Sequence, residues 1–337
     1  MDKGKNIMME PFRTAIDIKS EDKPIDYSSN VLFLGSCFAE NMGAKLVQNK
    51  FQTLINPFGI LYNPHSIANS LEILVKKELF TEHDLFEDKG VWNSFSHHSR
   101  FSDTDKTRCL ENINQQIELG ANFLKKADYL IITFGTAWVY QLKKTGNVVS
   151  NCHKVAAKEF ERVRLTEQDI VERINWVFET LQRENPELKI ILTVSPVRHI
   201  KDGLVENQLS KATLVLATHK LVSEFEKVSY FPSYEIMMDD LRDYRFYADD
   251  MLHPSNVAIE YIWEKFKISW IEPKVYEAMN EIAKIQQAVN HRPFFPETES
   301  HQLFIKRQLD SIKKLREKYS EIDLTAEQDY FEKQKLV

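Results

Sequence analysis

Val31-Leu32-Phe33-Leu34-Gly35-Ser36-Cys37-Phe38-Ala39 is an apolar run that stops at a small residue and a hydroxyl. Read as a buried central strand, it ends where Gly35 lets the chain turn tightly. Ser36 then stands at the strand's carboxyl end and in the first turn of a following helix, where open α/β sheets keep their chemistry. Two further continuous apolar runs follow, Tyr129-Leu130-Ile131-Ile132-Thr133-Phe134 before Gly135 and Leu188-Lys189-Ile190-Ile191-Leu192-Thr193-Val194 before Pro196, with a shorter one at Val228-Ser229-Tyr230-Phe231. Runs without polar alternation belong to strands covered on both faces, as in parallel sheets.

Helical patterns separate these runs: residues 37–49, a stretch opening at Asn63 or Pro64 with Ile67, Leu71 and Leu74, residues 109–126, residues 166–184 along Ile170, Ile174, Val177 and Leu181, and residues 208–226. Strands alternating with helices of this length predict βαβ units with right-handed crossovers and hence an α/β protein. Gly146-Asn147 marks a hairpin turn, and no long regular element is legible between Phe80 and Cys109.

The last third reads differently. Pro254-Ser255-Asn256 opens a helix through Trp263 and Phe266, Pro273 restarts another, and Pro293 and Pro296 interrupt it. Ile305, Leu309, Ile312, Leu315, Tyr319 and Ile322 recur at three- and four-residue steps, an apolar stripe that demands a partner surface, either the sheet domain or a second subunit in a homodimer. The expected division is an entry segment over 1–27, the α/β domain over 28–270 and a helical extension over 271–337.

With 337 residues, 43% hydrophobic and 28% charged, the chain has an ordinary globular composition. Its net charge of -6, with no basic cluster, argues against nucleic acid as a partner, because affinity there rests on phosphate neutralisation. No window has the uninterrupted apolar length of a membrane span or a signal peptide, which predicts a cytoplasmic protein. Cys37, Cys109 and Cys152 are odd in number and fit no zinc spacing, and the histidines form no H-E-x-x-H pattern. Neither a metal nor a cofactor is expected.

The chemistry converges on Ser36 and on Asp250-Met251-Leu252-His253-Pro254. A serine hydroxyl is a poor nucleophile until a base accepts its proton, and the base works best when a carboxylate fixes its tautomer. His253 is the candidate base and Asp250 its orienting carboxylate, with the adjacent Asp249 as runner-up. Acyl transfer also needs donors for the developing oxyanion. The Ser36 amide, the amide of Gly59 and a third donor at Gly135-Thr136-Ala137 are the candidates. Cys37 is an alternative nucleophile, although a helix turns its side chain away from that of Ser36, toward the core. Arg198 and His199, just past the third long strand, are candidates for a substrate carboxylate or phosphate, against the plainer reading of an ion pair with Asp239 or Asp240. Trp92, Trp138, Tyr140, Tyr244 and Tyr247 either line a sugar or acyl groove or complete the core.

Gly35-Ser36-Cys37-Phe38-Ala39 resembles the signature of the GSCFA domain family. So do Asn56-Pro57-Phe58-Gly59, Tyr62-Asn63-Pro64, Thr133-Phe134-Gly135-Thr136-Ala137, Asn151-Cys152-His153-Lys154, Thr193-Val194-Ser195-Pro196-Val197-Arg198-His199, and Tyr244-Arg245-Phe246-Tyr247 through His253-Pro254-Ser255. The resemblance covers about residues 28 to 265. That family is similar to the SGNH hydrolases, the GDSL-like esterases and lipases, which implies a flavodoxin-like three-layer sandwich around a five-stranded parallel sheet. It also implies Ser36 as nucleophile and first oxyanion amide, Gly59 as second donor, and Asp250 with His253 completing a triad.

One departure stands out. The SGNH pattern places an asparagine donor after the strand where this chain has Gly135-Thr136-Ala137-Trp138, and an alanine side chain donates nothing. Losing one such donor costs about 3 kcal/mol of transition-state stabilisation. Candidate substitutes are the Thr136 hydroxyl, Asn63, Asn151 and Arg198. The resemblance implies hydrolysis or transfer of a short O-acyl group, with acetyl on a carbohydrate as the expected substrate. The competing expectation is a binding domain that keeps the fold without turnover.

Overall fold

The computed structural model describes residues 14–20, 24–291 and 293–336. The elements through the first half are β1 (Asn30–Gly35), α1 (Cys37–Gln48), β2 (Gln52–Ile55), α2 (Pro64–Lys76), β3 (Phe86–Asp88), β4 (Val91–Asn93), α3 (Lys106–Leu124), β5 (Tyr129–Phe134), β6 (Trp138–Leu142), β7 (Val148–Val149) and β8 (Phe160–Arg164). They continue with α4 (Glu167–Glu184), β9 (Lys189–Val194), α5 (Leu204–Glu224), β10 (Val228–Tyr230), α6 (Ser233–Met238), α7 (Asn256–Trp270), α8 (Tyr276–Asn290), α9 (Glu299–Lys318) and α10 (Thr325–Glu332).

The central sheet is parallel, in the order β2-β1-β5-β9-β10. Its strands send successive side chains into two different cores. Val31 and Phe33 of β1, with Tyr129, Ile131 and Ile191, join α1, α6, α7 and the carboxyl-terminal helices. Leu32 and Leu34, with Leu130, Ile132, Phe134, Ile190, Leu192 and Val194, join α2, α3, α4 and α5. This double burial is why the strands are apolar at every position, and each large side chain so covered contributes about 1.5–3 kcal/mol. The result is the expected α/β three-layer sandwich.

The winding reverses once. The chain runs from β1 outward to β2, then returns to the other side of β1 for β5, β9 and β10. Right-handed crossovers force the helices onto the opposite face at that reversal. A crevice opens outside the carboxyl ends of β1 and β5, the switch point at which such sheets bind ligands. Gly35 and Ser36 stand on one side of it, and Gly135 on the other.

Elements missed by the sequence reading are those without a two-sided core. They are the edge strand β2, the short β3–β4 hairpin, and β8, which pairs antiparallel with β6 to extend the Gly146 hairpin into a three-stranded sheet. The stripe on α9 finds its surface within the chain: Ile305, Ile312, Leu315 and Ile322 are buried in the same core as α1 and α7. Ion pairing of Lys50 with Glu327 at 2.6 Å and stacking of Tyr319 on Tyr27 at 5.1 Å hold the extension there. The entry segment lies partly outside the described residues. Its end is built in, since Ile25 bridges to Ile271 and is fully buried.

Gly35 adopts a φ of 135°, and a Cβ there would lie 2.2 Å from the Thr133 carbonyl oxygen. Gly35→Ala therefore combines backbone strain with a clash against a neighbouring strand. It is expected to lower unfolding stability by about 2 kcal/mol or more, measured by urea denaturation.

Candidate functional site

Ser36 caps α1. Its backbone is extended (φ -69°, ψ 176°), its Oγ accepts the Phe38 amide at 3.3 Å, and its own amide donates to Thr133 O at 3.3 Å. The side chain is fully buried. The loop that receives β1 is fixed by buried Asn56, whose Oδ1 accepts the Gly35 amide at 2.8 Å and whose amide donates to Phe33 O at 2.9 Å.

Asp250 and His253 form a pair, with Nδ1 2.6 Å from Oδ2. The other carboxylate oxygen accepts the amides of Leu252 at 2.9 Å and His253 at 3.0 Å. A carboxylate that accepts several donors is favoured in its charged form. These two amides and then the imidazole hold Asp250 down to about 2. Met251 turns through the left-handed region (φ 58°), closing the three-residue loop so that one carboxylate serves both backbone and ring. Both side chains are about half exposed. The loop is tied to the sheet edge by the Arg198 amide, which donates to Leu252 O at 3.1 Å.

No hydrogen bond joins Ser36 to His253 among the described residues. A succession of neighbours links them instead: Ser36 to Thr133 through its amide, Thr133 to Gly135 along the strand, and Gly135 to His199, whose Nε2 lies 3.2 Å from where a Gly135 Cβ would stand. His199 in turn feels the charge of His253.

The amides proposed for the oxyanion have partners. Gly59, at φ 77°, donates to Asn56 O at 2.7 Å, and a Cβ there would lie 2.2 Å from His98 Cβ, so its glycine allows a close packing contact. Thr136 donates its amide to Tyr62 O at 2.9 Å, and its hydroxyl sits between Ser210 Oγ at 3.1 Å and the Trp138 amide at 3.1 Å. Ala137 is buried in the core, its amide on Ser210 Oγ at 2.8 Å.

The remaining candidates are spread wider. Asn63 is the buried cap of α2, with Oδ1 accepting the Ser66 amide at 2.8 Å. Asn151 accepts the His153 amide at 2.9 Å in a loop that donates to Phe95 O, away from Ser36 and His253 in its bonding. Arg198 lies over the rings of Tyr247 at 4.2 Å and Tyr244 at 5.2 Å and makes no ion pair among the described residues. The ion pair with Asp239 or Asp240 is not formed: Asp239 pairs with Arg242, and Asp240 with Lys265 at 3.4 Å. The five aromatics do not share one groove. Trp138 and Tyr140 clamp Arg162, Trp92 lies beneath Lys106, and Tyr244 with Tyr247 holds Arg198.

Cys37 departs from expectation by standing outside both core clusters, half-buried, with burial and then Glu40 pushing its thiol up. Lys211 was not foreseen. It is 1% exposed, and its Nζ donates to Gly135 O at 2.7 Å and Ser195 O at 2.6 Å. The legible signal was its phase: Lys211 shares a buried stripe of α5 with Leu214, Thr218 and Leu221. Among the described residues no group of three or more His, Cys, Asp or Glu could hold a metal, and no helix is long and apolar enough to cross a membrane.

The GSCFA family model matches residues 30–266, and a GSCFA domain protein C-terminal domain model matches 282–336. The chain belongs to the GSCFA family. No curated protein matched it. Solved structures similar to this GSCFA chain include a protein described as a GDSL-like lipase from Parabacteroides merdae (12% identity, TM-score 0.39, covering 76% of this chain and 98% of that one). A carbohydrate esterase family 3 protein from Talaromyces cellulolyticus has 11% identity and TM-score 0.35, over 75% of this chain and 99% of that one. An acetyl xylan esterase from Butyrivibrio proteoclasticus has 14% identity and TM-score 0.36, over 74% and 67%.

Burial, then the positive charges of Lys211 and His253, hold His199 down to about 3. The unfolded imidazole titrates near 6.5, so between those values the unfolded state binds more protons and stability falls as pH is lowered. Buried His97, also lowered to about 3 by burial, acts in the same direction. Comparing urea denaturation at pH 7.5 and pH 5, the loss on acidification is expected to be about 1 kcal/mol smaller in His199→Gln than in the wild type, the His97 part remaining.

Proposed function

We propose that this protein is a serine esterase or O-acyltransferase acting on a short O-acyl group, with acetyl on a carbohydrate as the preferred substrate. The supporting observation is the Asp250–His253 pair, bonded at 2.6 Å and anchored through Leu252 to the sheet edge that carries Ser36. The order of Gly35-Ser36, Gly59 and Asp250-x-x-His253 resembles that of the SGNH hydrolases. In the proposed cycle Ser36 Oγ attacks the acyl carbonyl while its proton passes to His253 Nε2. The tetrahedral intermediate collapses, the alcohol leaves with that proton, and an acyl-enzyme remains. Water, or a second alcohol in a transferase, then gives its proton to His253 and attacks the acyl carbon, releasing Ser36. Asp250 keeps the Nδ1 proton in place and steadies the imidazolium.

Before it reacts, Ser36 has to leave its capping position. Its bond to the Phe38 amide is long at 3.3 Å, and rotation about Cα–Cβ costs about 1 kcal/mol for a lost cap. Two hollows flank Arg198, of about 150 Å³ beside Met237 and Tyr247 and about 180 Å³ beside Leu204 and Tyr234. Their size suits a short acyl chain, and the unpaired guanidinium between them suits an acidic or strongly polar carrier.

A second reading, a binding domain without turnover, is favoured by the full burial of Ser36 and the engaged amides of Gly59 and Thr136. A fluorophosphonate probe separates the two. The esterase reading expects labelling of the wild type that disappears in Ser36→Ala, and the binding reading expects no labelling and no turnover over a panel of short-acyl esters. Asp250→Asn is expected to lower kcat roughly 10³- to 10⁴-fold with KM little changed; retained activity would remove Asp250 from its role.

A further inference from the structure

We propose that Lys211 is the fixed positive charge of the acyl-transfer site: held between the ends of β5 and β9, its ammonium stabilises negative charge developing beside Ser36, in place of the donor absent at Ala137. This rests on the reading of Ser36 as the acyl acceptor.

The geometry shows a cation confined without an anion. Nζ donates to two backbone carbonyls, Gly135 O and Ser195 O, and lies 5.7 Å from the Tyr234 ring centroid. Among the described residues no carboxylate pairs with it, and a buried ammonium lacking one is costly to keep charged. A link between two strand ends does not require that charge. Ser210, the preceding residue, already makes a neutral one by joining Thr136 and the Ala137 amide to α5. Two carbonyls also leave one of the three ammonium protons uncommitted.

Its position fits the task. Gly135 lies two residues beyond Thr133, one strand repeat of about 7 Å, and the Thr133 carbonyl receives the Ser36 amide. The groups that face Lys211 are Cys37 from α1, His199 from the loop after β9 and Tyr234 from α6. None is an acid. Glu40, a turn farther along α1, is paired with Arg100 at 3.3 Å. A positive charge in a site closed to water acts at long range, because little solvent screens it.

Burial draws Lys211 down to about 7, so its charge is present below neutrality and lost as pH rises through that value. Turnover should therefore carry an alkaline limb near neutral pH. Cys37 reports the same field without any ester chemistry, since Lys211 acts to lower the thiol that burial raises.

The test uses the full chain and Lys211→Met, a neutral side chain of similar length. At pH 7 kcat/KM on a short-acyl ester should fall about 10- to 100-fold, the alkaline limb should vanish, and iodoacetamide should alkylate Cys37 several-fold more slowly, read by peptide mass spectrometry. The melting temperature controls for folding. If the variant does not fold, the wild-type pH profiles decide: an alkaline limb together with a Cys37 alkylation inflection near neutral pH supports the assignment, and the absence of either overturns it. Wild-type turnover and alkylation in a folded Lys211→Met protein overturn it as well. A wild type that neither labels with fluorophosphonate nor turns over esters, while Cys37 alkylation still slows in Lys211→Met, leaves the field in place but sinks the acyl-transfer reading and this role with it.

Discussion

The carbonyl of Thr133 fills the space where any other residue at position 35 would carry its Cβ. That close approach lets β1 and β5 stay paired to their last residues, Gly35 opposite Thr133, while the chain turns away into α1. Three other bonds depend on it. The Gly35 amide is received by Asn56, the Gly35 carbonyl receives the Leu61 amide, and Tyr62, next in the chain, offers its carbonyl to both Gly135 and Thr136. The loop after β2 is thereby stitched across the mouth of the switch-point crevice. Ser36 is held in the one place where a helix amino terminus, two strand ends and that loop meet.

The stitching also explains why the candidate donors are engaged. Backbone N–H groups buried at a strand end need acceptors, and in the absence of ligand the loop carbonyls supply them. Tyr62 O takes two, Asn56 O takes that of Gly59, and Thr133 O takes that of Ser36. What the edge retains is positive charge rather than free amides. Lys211 lies under the strand ends, Arg198 lies between two tyrosines, and His199 stays neutral beside them. The acid of the site, Asp250, stands out on the loop and is neutralised locally by two amides and the imidazole.

The sequence made the central strands legible because both of their faces are buried, so composition alone marks them. The edge strand β2, Gln52-Thr53-Leu54-Ile55, has only partly buried residues and no such mark, and β8 alternates charge with apolar residues at the surface. The Asp250–His253 pair was legible for a different reason: it is local, closed within four residues, and owes little to the rest of the fold. The fates of the Gly59 and Thr136 amides were not, since their acceptors come from Asn56 and from the distant Tyr62. Lys211 was hidden by its type. Its spacing from Leu214 and Leu221 places it inside, but a lysine on a helix is ordinarily taken as solvated.

Two kinds of attachment distinguish Ser36 from His253. The serine belongs to the most constrained part of the molecule, where strand pairing, a glycine without room for substitution and a buried asparagine fix the backbone to one path. The histidine sits on a half-exposed loop joined to the sheet edge by one backbone bond to Arg198 and shaped by Asp250 and the left-handed turn at Met251. Motion needed to bring them together therefore falls to the Ser36 side chain and to the 248–253 loop, because the backbone at Gly35 cannot yield without breaking the β1–β5 pairing. A rigid acceptor and an adjustable base suit a site that is closed when empty: the capped hydroxyl satisfies the helix amide, and a ligand entering the crevice offers the hydroxyl a reason to turn outward.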